Sequence, residues 1–189
     1  KNIKVTLICR EKSFWENALT DNQSQLINNH IKSHQVNLIF NDTLKSIEGE
    51  KGSVKNVILE SGLKIPCKFV GITIGVSPNI NFIKDSGINF DKGILVNAFL
   101  STNFSNVYAI GDCAEHQNPP NNRPKIESIW YSGKLMGETV AKTICGSKSK
   151  YKPGHWFNSA KFLDIEYQIY GQVNNIKSIS KENTQFNWT

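Results

Sequence analysis

The stretch Ser101-Thr-Asn-Phe-Ser-Asn-Val-Tyr-Ala-Ile-Gly111-Asp112 constrains this chain more than any other. Val107 to Ile110 reads as a short apolar strand, with Thr102 placed before it and Gly-Asp cutting it off. A buried strand that stops at glycine lets another molecule approach the backbone closely. The aspartate that follows offers a carboxylate to sugar-type hydroxyls at the carboxyl end of a sheet, where α/β proteins bind ligands. Gly-Asp alone also reads as a plain strand and turn. The surrounding segments decide between the two.

Ile3 to Cys9 is a β-branched run suited to a buried parallel strand. A polar helix is predicted over roughly Phe14 to Ser33, with Phe14, Ala18, Leu26, Ile27 and Ile31 on its apolar side. Val36 to Phe40 reads as the next strand, completing a βαβ unit. The texture then changes to short alternating segments, Thr43–Glu48, Ser53–Glu60 and Leu63–Pro66. Glycine-bearing turns join them, which predicts a three-stranded antiparallel meander. Cys67 to Ile74 is again continuous and apolar, a predicted buried strand ending in Gly75-Val-Ser-Pro78-Asn79. Ile94–Val96 and Phe99–Leu100 read as further strands. The strongest helix pattern runs from about Lys125 to Ile144, with Gly146 in the position of a C-cap. Gly133 and Gly137, one turn apart on it, make a flat face open to close approach by another backbone. Tyr151 to Gly171 is more aromatic and is expected to begin a separate element.

Composition narrows the function classes. The 189 residues, 39% of them hydrophobic, allow one ordinary core or two small ones. No apolar run approaches the roughly 20 residues needed to span a bilayer. The opening is too short and strand-like for a secretory signal. The charge of +6 is dispersed, which points to solubility rather than a nucleic-acid partner. Cys9, Cys67, Cys113 and Cys145 lie far apart with no Cys-x-x-Cys pair, so neither zinc nor a local redox disulfide is expected. Four free thiols suit a reducing cytoplasm. His30 and His34 stand four apart on the first helix and read as solvated. The only methionine is Met136 and the chain opens directly on a strand, so a piece of a longer protein is expected.

In order, these segments resemble the second half of the two-dinucleotide flavoprotein oxidoreductases, the FAD-dependent, NAD(P)H-linked reductases. Val5-Thr-Leu-Ile-Cys-Arg10 is similar to the second strand of that family's NAD(P)H-binding domain, and residues 43 to 66 to the meander that interrupts it. Ile72-Thr-Ile-Gly75-Val-Ser-Pro78-Asn79 resembles the crossover back to the FAD domain, and Thr102 through Asp112 its second FAD motif. Lys125-Ile-Glu-Ser128 with Ser132-Gly-Lys134 resembles the helix under the flavin in the ferredoxin, rubredoxin and nitrite reductase branch, to which apoptosis-inducing factor is also similar. Trp156 to Gly171 resembles the opening of that branch's C-terminal domain. Here Asn158 or Ser159 falls where the branch has a flavin-side tryptophan, leaving Trp156 open between flavin neighbour and core residue.

The resemblance implies an α/β chain. It would comprise a partial Rossmann-like FAD/NAD(P)-binding fold with a three-stranded β-meander, plus the start of an α+β C-terminal domain. Residues 1–75 would belong to the NAD(P)H-binding domain, 76–148 to the FAD-binding domain and 149–189 to the truncated C-terminal domain. The intact protein would pass a hydride from NAD(P)H to FAD and electrons on to a small electron-carrier protein or small-molecule acceptor. Asp112 would hold the ribityl hydroxyls, Gly111 and Gly75 would leave room for the cofactor, and Ile126 and Glu127 would present helix-start amides to the ring. Arg10 would read the adenosine ribose and leans towards the 2′-phosphate of NADPH, with Glu11 beside it arguing the other way. No residue is identified as a catalytic acid or base.

Neither Gly-x-Gly-x-x-Gly fingerprint of such proteins is present. The piece alone is therefore expected to bind FAD weakly or not at all, and its first strand to have an open edge that a second copy could complete, as a homodimer. The alternative reading is a non-catalytic nucleotide-sensing or partner-binding half-Rossmann module. Within the enzyme class, a disulfide reductase with its redox cysteines upstream also stays open.

Overall fold

A computed structural model describes residues 3–16, 19–120 and 123–171. Ala18 of the predicted first helix and residues 172–189 of the predicted C-terminal domain lie outside them. The chain divides into two units, the first ending at Thr73 and the second beginning at Ile74.

In the first unit, β1 (Val5–Ile8) pairs in parallel with β2 (Val36–Ile39), Val5 opposite Val36 and Ile8 opposite Ile39. Helix α1 (Asp21–Ser33) connects them, starting seven residues later than its apolar spacing suggests. Its start is set by a capping box. The Thr20 hydroxyl accepts from the Gln23 amide at 3.4 Å, and the Gln23 side chain accepts from the Thr20 amide at 3.0 Å. Ile27 and Ile31 are its buried apolar positions.

The meander forms as predicted from β3 (Leu44–Glu50), β4 (Ser53–Leu59) and β5 (Lys64–Pro66), paired antiparallel in that order. Lys51 and Gly52 form the two-residue turn, both at positive φ (50° and 78°), which matches the twist of a hairpin. Val57 and Leu59 supply its buried residues.

The predicted strand over Cys67–Ile74 does not form. Only the Cys67 amide continues the meander, donating to the Lys55 carbonyl at 2.9 Å. Beyond it the segment is irregular, and Phe69 and Ile72 are exposed. A continuous apolar run becomes a strand only when neighbours pair with it and cover both faces. Among the described residues none does so.

In the second unit, β6 (Ile94–Val96) pairs in parallel with β7 (Ala114–His116). Helix α2 (Trp130–Ile144) follows, and a hairpin of β8 (Phe157–Phe162) and β9 (Ile165–Tyr170) comes last. The core gathers Ile83, Val96, Leu100, Ala114, Met136 and Val140. Helix α2 closes in a Schellman motif at Gly146 (φ 92°), whose amide donates to Thr143 while the Ser147 amide donates to Lys142.

Two further predicted strands give way to turns. Phe99–Leu100 is part of a turn because the Asn97 side chain accepts from the amides of Phe99 (2.8 Å) and Ser101 (3.3 Å), turning the backbone back on itself. Val107–Ile110 makes a single bridge, Tyr108 to Ser101, before running extended into Gly111. The regular strand of this region lies after the Gly-Asp pair, at Ala114–His116.

Candidate functional site

Gly111-Asp112-Cys113 forms one 3-10 turn between extended Ile110 and β7. Gly111 sits at φ 70°, a conformation that favours glycine, and open space surrounds the position a Cβ would take. Its amide donates to the Met136 sulfur at 3.3 Å, which seats the turn against α2. The Asp112 side chain is exposed. The Cys113 thiol donates to the Ile110 carbonyl at 3.4 Å, as a packing residue would. Thr102 is buried and organises the preceding turn. Its hydroxyl donates to the Val107 carbonyl at 3.1 Å and accepts from the Phe104 amide at 3.1 Å.

Helix α2 begins five residues later than its sequence pattern implies. Lys125 to Ile129 is not helical, and Ile129 is an extended N-cap (φ −132°, ψ 131°) without a side-chain acceptor. The amides at the helix start are therefore those of Trp130, Tyr131 and Ser132, which lack a capping side chain. Ile126 is half-buried and Glu127 fully buried in the approach to the helix. Glu127 is held there by Arg123, whose Nη1 donates to Glu127 Oε2 at 2.9 Å, and by the Ser132 hydroxyl, which donates to the same oxygen at 2.6 Å. Lys125 to Ile129 thus stays outside the helix despite the helical spacing of Ile126 and Ile129. Arg123 escaped the sequence reading, although an Arg four residues before a Glu that precedes a helix is a usable signal.

The hairpin meets the first turn of α2 through residues other than Trp156. The Tyr131 ring lies 4.5 Å from that of Phe157, and its hydroxyl bonds the Ser159 hydroxyl at 2.9 Å. Trp156 is half-buried, and its carbonyl accepts from Gly171 at 2.7 Å. Gly75, near the start of this unit, is exposed at φ 110°.

In the first unit, Arg10 is exposed just beyond β1, its Nε donating to Glu11 Oε1 at 2.7 Å. That hydrogen bond holds the Glu11 carboxyl below its usual range and raises the Arg10 guanidinium. Burial pushes the neighbouring Cys9 thiol up, with the Glu11 charge adding to the effect. The His30 and His34 rings are 4.5 Å apart, and all four cysteines are free thiols. Among the described residues, no helix is long and apolar enough to cross a membrane.

A glycine turn packed against α2 and followed by an exposed carboxylate, with a βαβ unit and a meander earlier in the chain, makes a partial dinucleotide-type α/β fold. Residues 1–134 match the pyridine nucleotide-disulphide oxidoreductase family, and the chain belongs to it. It is 34% identical to a ferredoxin–NAD(P)+ reductase of Sphingomonas sp. over 143 residues, 74% of this chain and 34% of that protein. It is 26% identical to a rubredoxin–NAD+ reductase of Ectopseudomonas oleovorans, covering 77% of this chain and 38% of that one. The fold matches a ferredoxin reductase from Rhodopseudomonas palustris with a TM-score of 0.80 at 22% identity, over 89% of this chain and 42% of that one. The chain thus spans well under half the length of the relatives it matches.

Proposed function

We propose that this chain carries part of the FAD site and part of the NAD(P)H site of a flavoprotein oxidoreductase that hands electrons to a small electron-carrier protein. Residues 1–75 belong to the NAD(P)H-binding domain, 76–148 to the FAD-binding domain and 149–189 to a C-terminal domain. The observation that carries this reading is the notch at Gly111. The glycine leaves open space where a side chain would stand, Asp112 projects to solvent beside it, and the start of α2 lacks a capping side chain. These features fit a flavin. Asp112 would hold the ribityl hydroxyls and Gly111 would admit the chain. The backbone from Ile126 and Glu127 to the first turn of α2 would face the ring carbonyls, and Gly75 would leave room at the crossover.

When bound, the flavin supplies the redox chemistry between the nicotinamide and the acceptor. The protein's share is to bind, orient and bias charge, and helix-start amides favour negative charge near them. Arg10 would read the adenosine ribose of the nicotinamide nucleotide. Family membership and the ferredoxin- and rubredoxin-reducing relatives support both the cofactors and the class of acceptor.

Asp112→Ala in the full-length protein tests the reading. The expected result is normal folding with FAD affinity reduced about tenfold, the order of a hydrogen bond to a charged group. A full-length wild type that purifies colourless and takes up no FAD would overturn it in favour of a non-catalytic nucleotide-binding module.

A further inference from the structure

Behind the Gly111 turn lies a buried charged network that nothing so far requires. The Arg123 side chain is 4% exposed and that of Glu127 0%. Nη1 of the guanidinium donates to Glu127, and Nη2 donates to the Gly154 carbonyl at 3.0 Å and the Pro153 carbonyl at 3.5 Å. The Ser132 hydroxyl, in the first turn of α2, closes on the same carboxylate oxygen. His116, ending β7, stacks on Tyr151 with ring centres 5.3 Å apart, and its backbone amide donates to the Lys125 carbonyl at 2.8 Å. The Tyr151 amide in turn donates to Ala98 at 2.9 Å.

Stability alone is a poor reason for such a cluster. Desolvating two charges offsets much of their attraction, and well-packed apolar residues often serve as well. Glu127 Oε1 and His116 Nε2 are also buried without hydrogen-bond partners among the described residues, each a net cost. What the network does supply is direction. A planar guanidinium with fixed donors ties the approach 125–129, the first turn of α2 and the segment before the hairpin to one carboxylate. β7, which starts immediately after the Gly111 turn, joins the same approach through His116. β7 and the approach to α2 are thereby tied to a single hub.

We propose that Arg123 is a positioning residue for this notch, acting through Glu127. It fixes the path of residues 125–129, and so the aim of the α2 amides relative to Asp112. The role rests on the flavin reading above but is separable from it.

Two experiments test it. In the chain as it stands, hydrogen exchange of Arg123→Lys should accelerate selectively at the amides of 125–132 and at the His116 amide that bonds Lys125, with β6 and the rest of β7 unchanged. A uniform acceleration across the second unit would mean general destabilisation and overturn the proposal. In the full-length flavin-loaded protein, the milder Ser132→Ala should weaken FAD about fivefold, the loss of one hydrogen bond. It should also shift the two-electron flavin midpoint potential by about 15 mV, the equivalent of a threefold change in relative affinity for the two redox states. Unchanged affinity and potential with a lowered Tm would assign the network to stability alone while leaving the flavin reading intact. Full-length wild type without flavin would overturn that reading instead, and the exchange experiment would still decide whether Arg123 orders the helix approach.

Discussion

The amide of Gly111 donates to the sulfur of Met136, 3.3 Å away and fully buried in α2. One side chain therefore serves both the core of the second unit and the position of the Gly-Asp turn. Met136→Leu keeps the volume and removes the acceptor. It should cost about 1–2 kcal/mol, from repacking and the unpartnered amide. Met136→Ala leaves a cavity as well and should cost about 2–5 kcal/mol. Denaturant melts of the chain would check the order, and equal losses for the two variants would contradict it.

Glycine tolerance should split sharply by position. A Cβ on Gly137 would lie 3.8 Å from Ile110 Cδ1, and one on Gly133 3.6 Å from Gly111 Cα, both ordinary contacts. The flat face expected from the pair does receive another backbone, Gly111 at Gly133, and the packing still leaves room for a methyl group at both positions. Gly137→Ala should therefore be neutral or stabilise by up to about 1 kcal/mol through helix propensity. By contrast, a Cβ on Gly49 would fall 2.7 Å from the Ser53 carbonyl oxygen, and one on Gly93 2.8 Å from that of Cys113. Backbone must move in both cases, so Gly49→Ala and Gly93→Ala should each cost about 1–3 kcal/mol. Thermal shifts of the three variants measure this directly.

Local signals carried the parts of the fold that were legible in sequence. The parallel β1–β2 pair follows from two β-branched runs, and the meander from glycine turns between alternating segments. Gly146 announced the end of α2 by itself. Where tertiary contacts decide, the pattern misled. Ile126 and Ile129 fit helical spacing, but Ile129 is an extended N-cap and Glu127 is drawn into a buried cluster with Arg123 and Ser132. Phe99 and Leu100 looked like strand until the Asn97 side chain claimed the amides of Phe99 and Ser101. The late start of α1 was readable after all, in the capping box Thr20-Asp-Asn-Gln23. For the candidate site, Gly111 and Asp112 stood out in sequence because a strand-ending Gly-Asp is a local motif. Arg123 and Tyr131 did not, because their partners Gly154 and Ser159 lie 31 and 28 positions away.

Arg10 and Glu11 make opposite demands on a nucleotide. Their 2.7 Å ion pair engages the guanidinium that would otherwise be free for a 2′-phosphate. On the proposed reading, Glu11→Gln in the full-length protein should release Arg10 and raise the ratio of kcat/KM for NADPH over NADH several-fold, the order of one exposed charge interaction. Arg10→Gln should move the ratio the other way. Steady-state kinetics with both nucleotides decide it, and a ratio unmoved by either change would remove Arg10 from the nucleotide site.

The acid limit of stability should trace in part to His116. Burial lowers its pKa from the ordinary value, and the Glu127 carboxylate only partly opposes that shift. The folded chain therefore holds off a proton that the unfolded chain binds below about pH 6.5. Stability rises with pH wherever the unfolded state binds more protons, so this contribution is absent above that value and turns destabilising as the pH falls below it. His116→Phe keeps a ring against Tyr151, removes the unpartnered Nε2 and no longer titrates. Unfolding free energy measured between pH 5 and 7.5 should fall less steeply toward acid in the variant than in the wild type. Parallel curves would mean that His116 is protonated equally in both states and that its burial is not what limits the fold in acid.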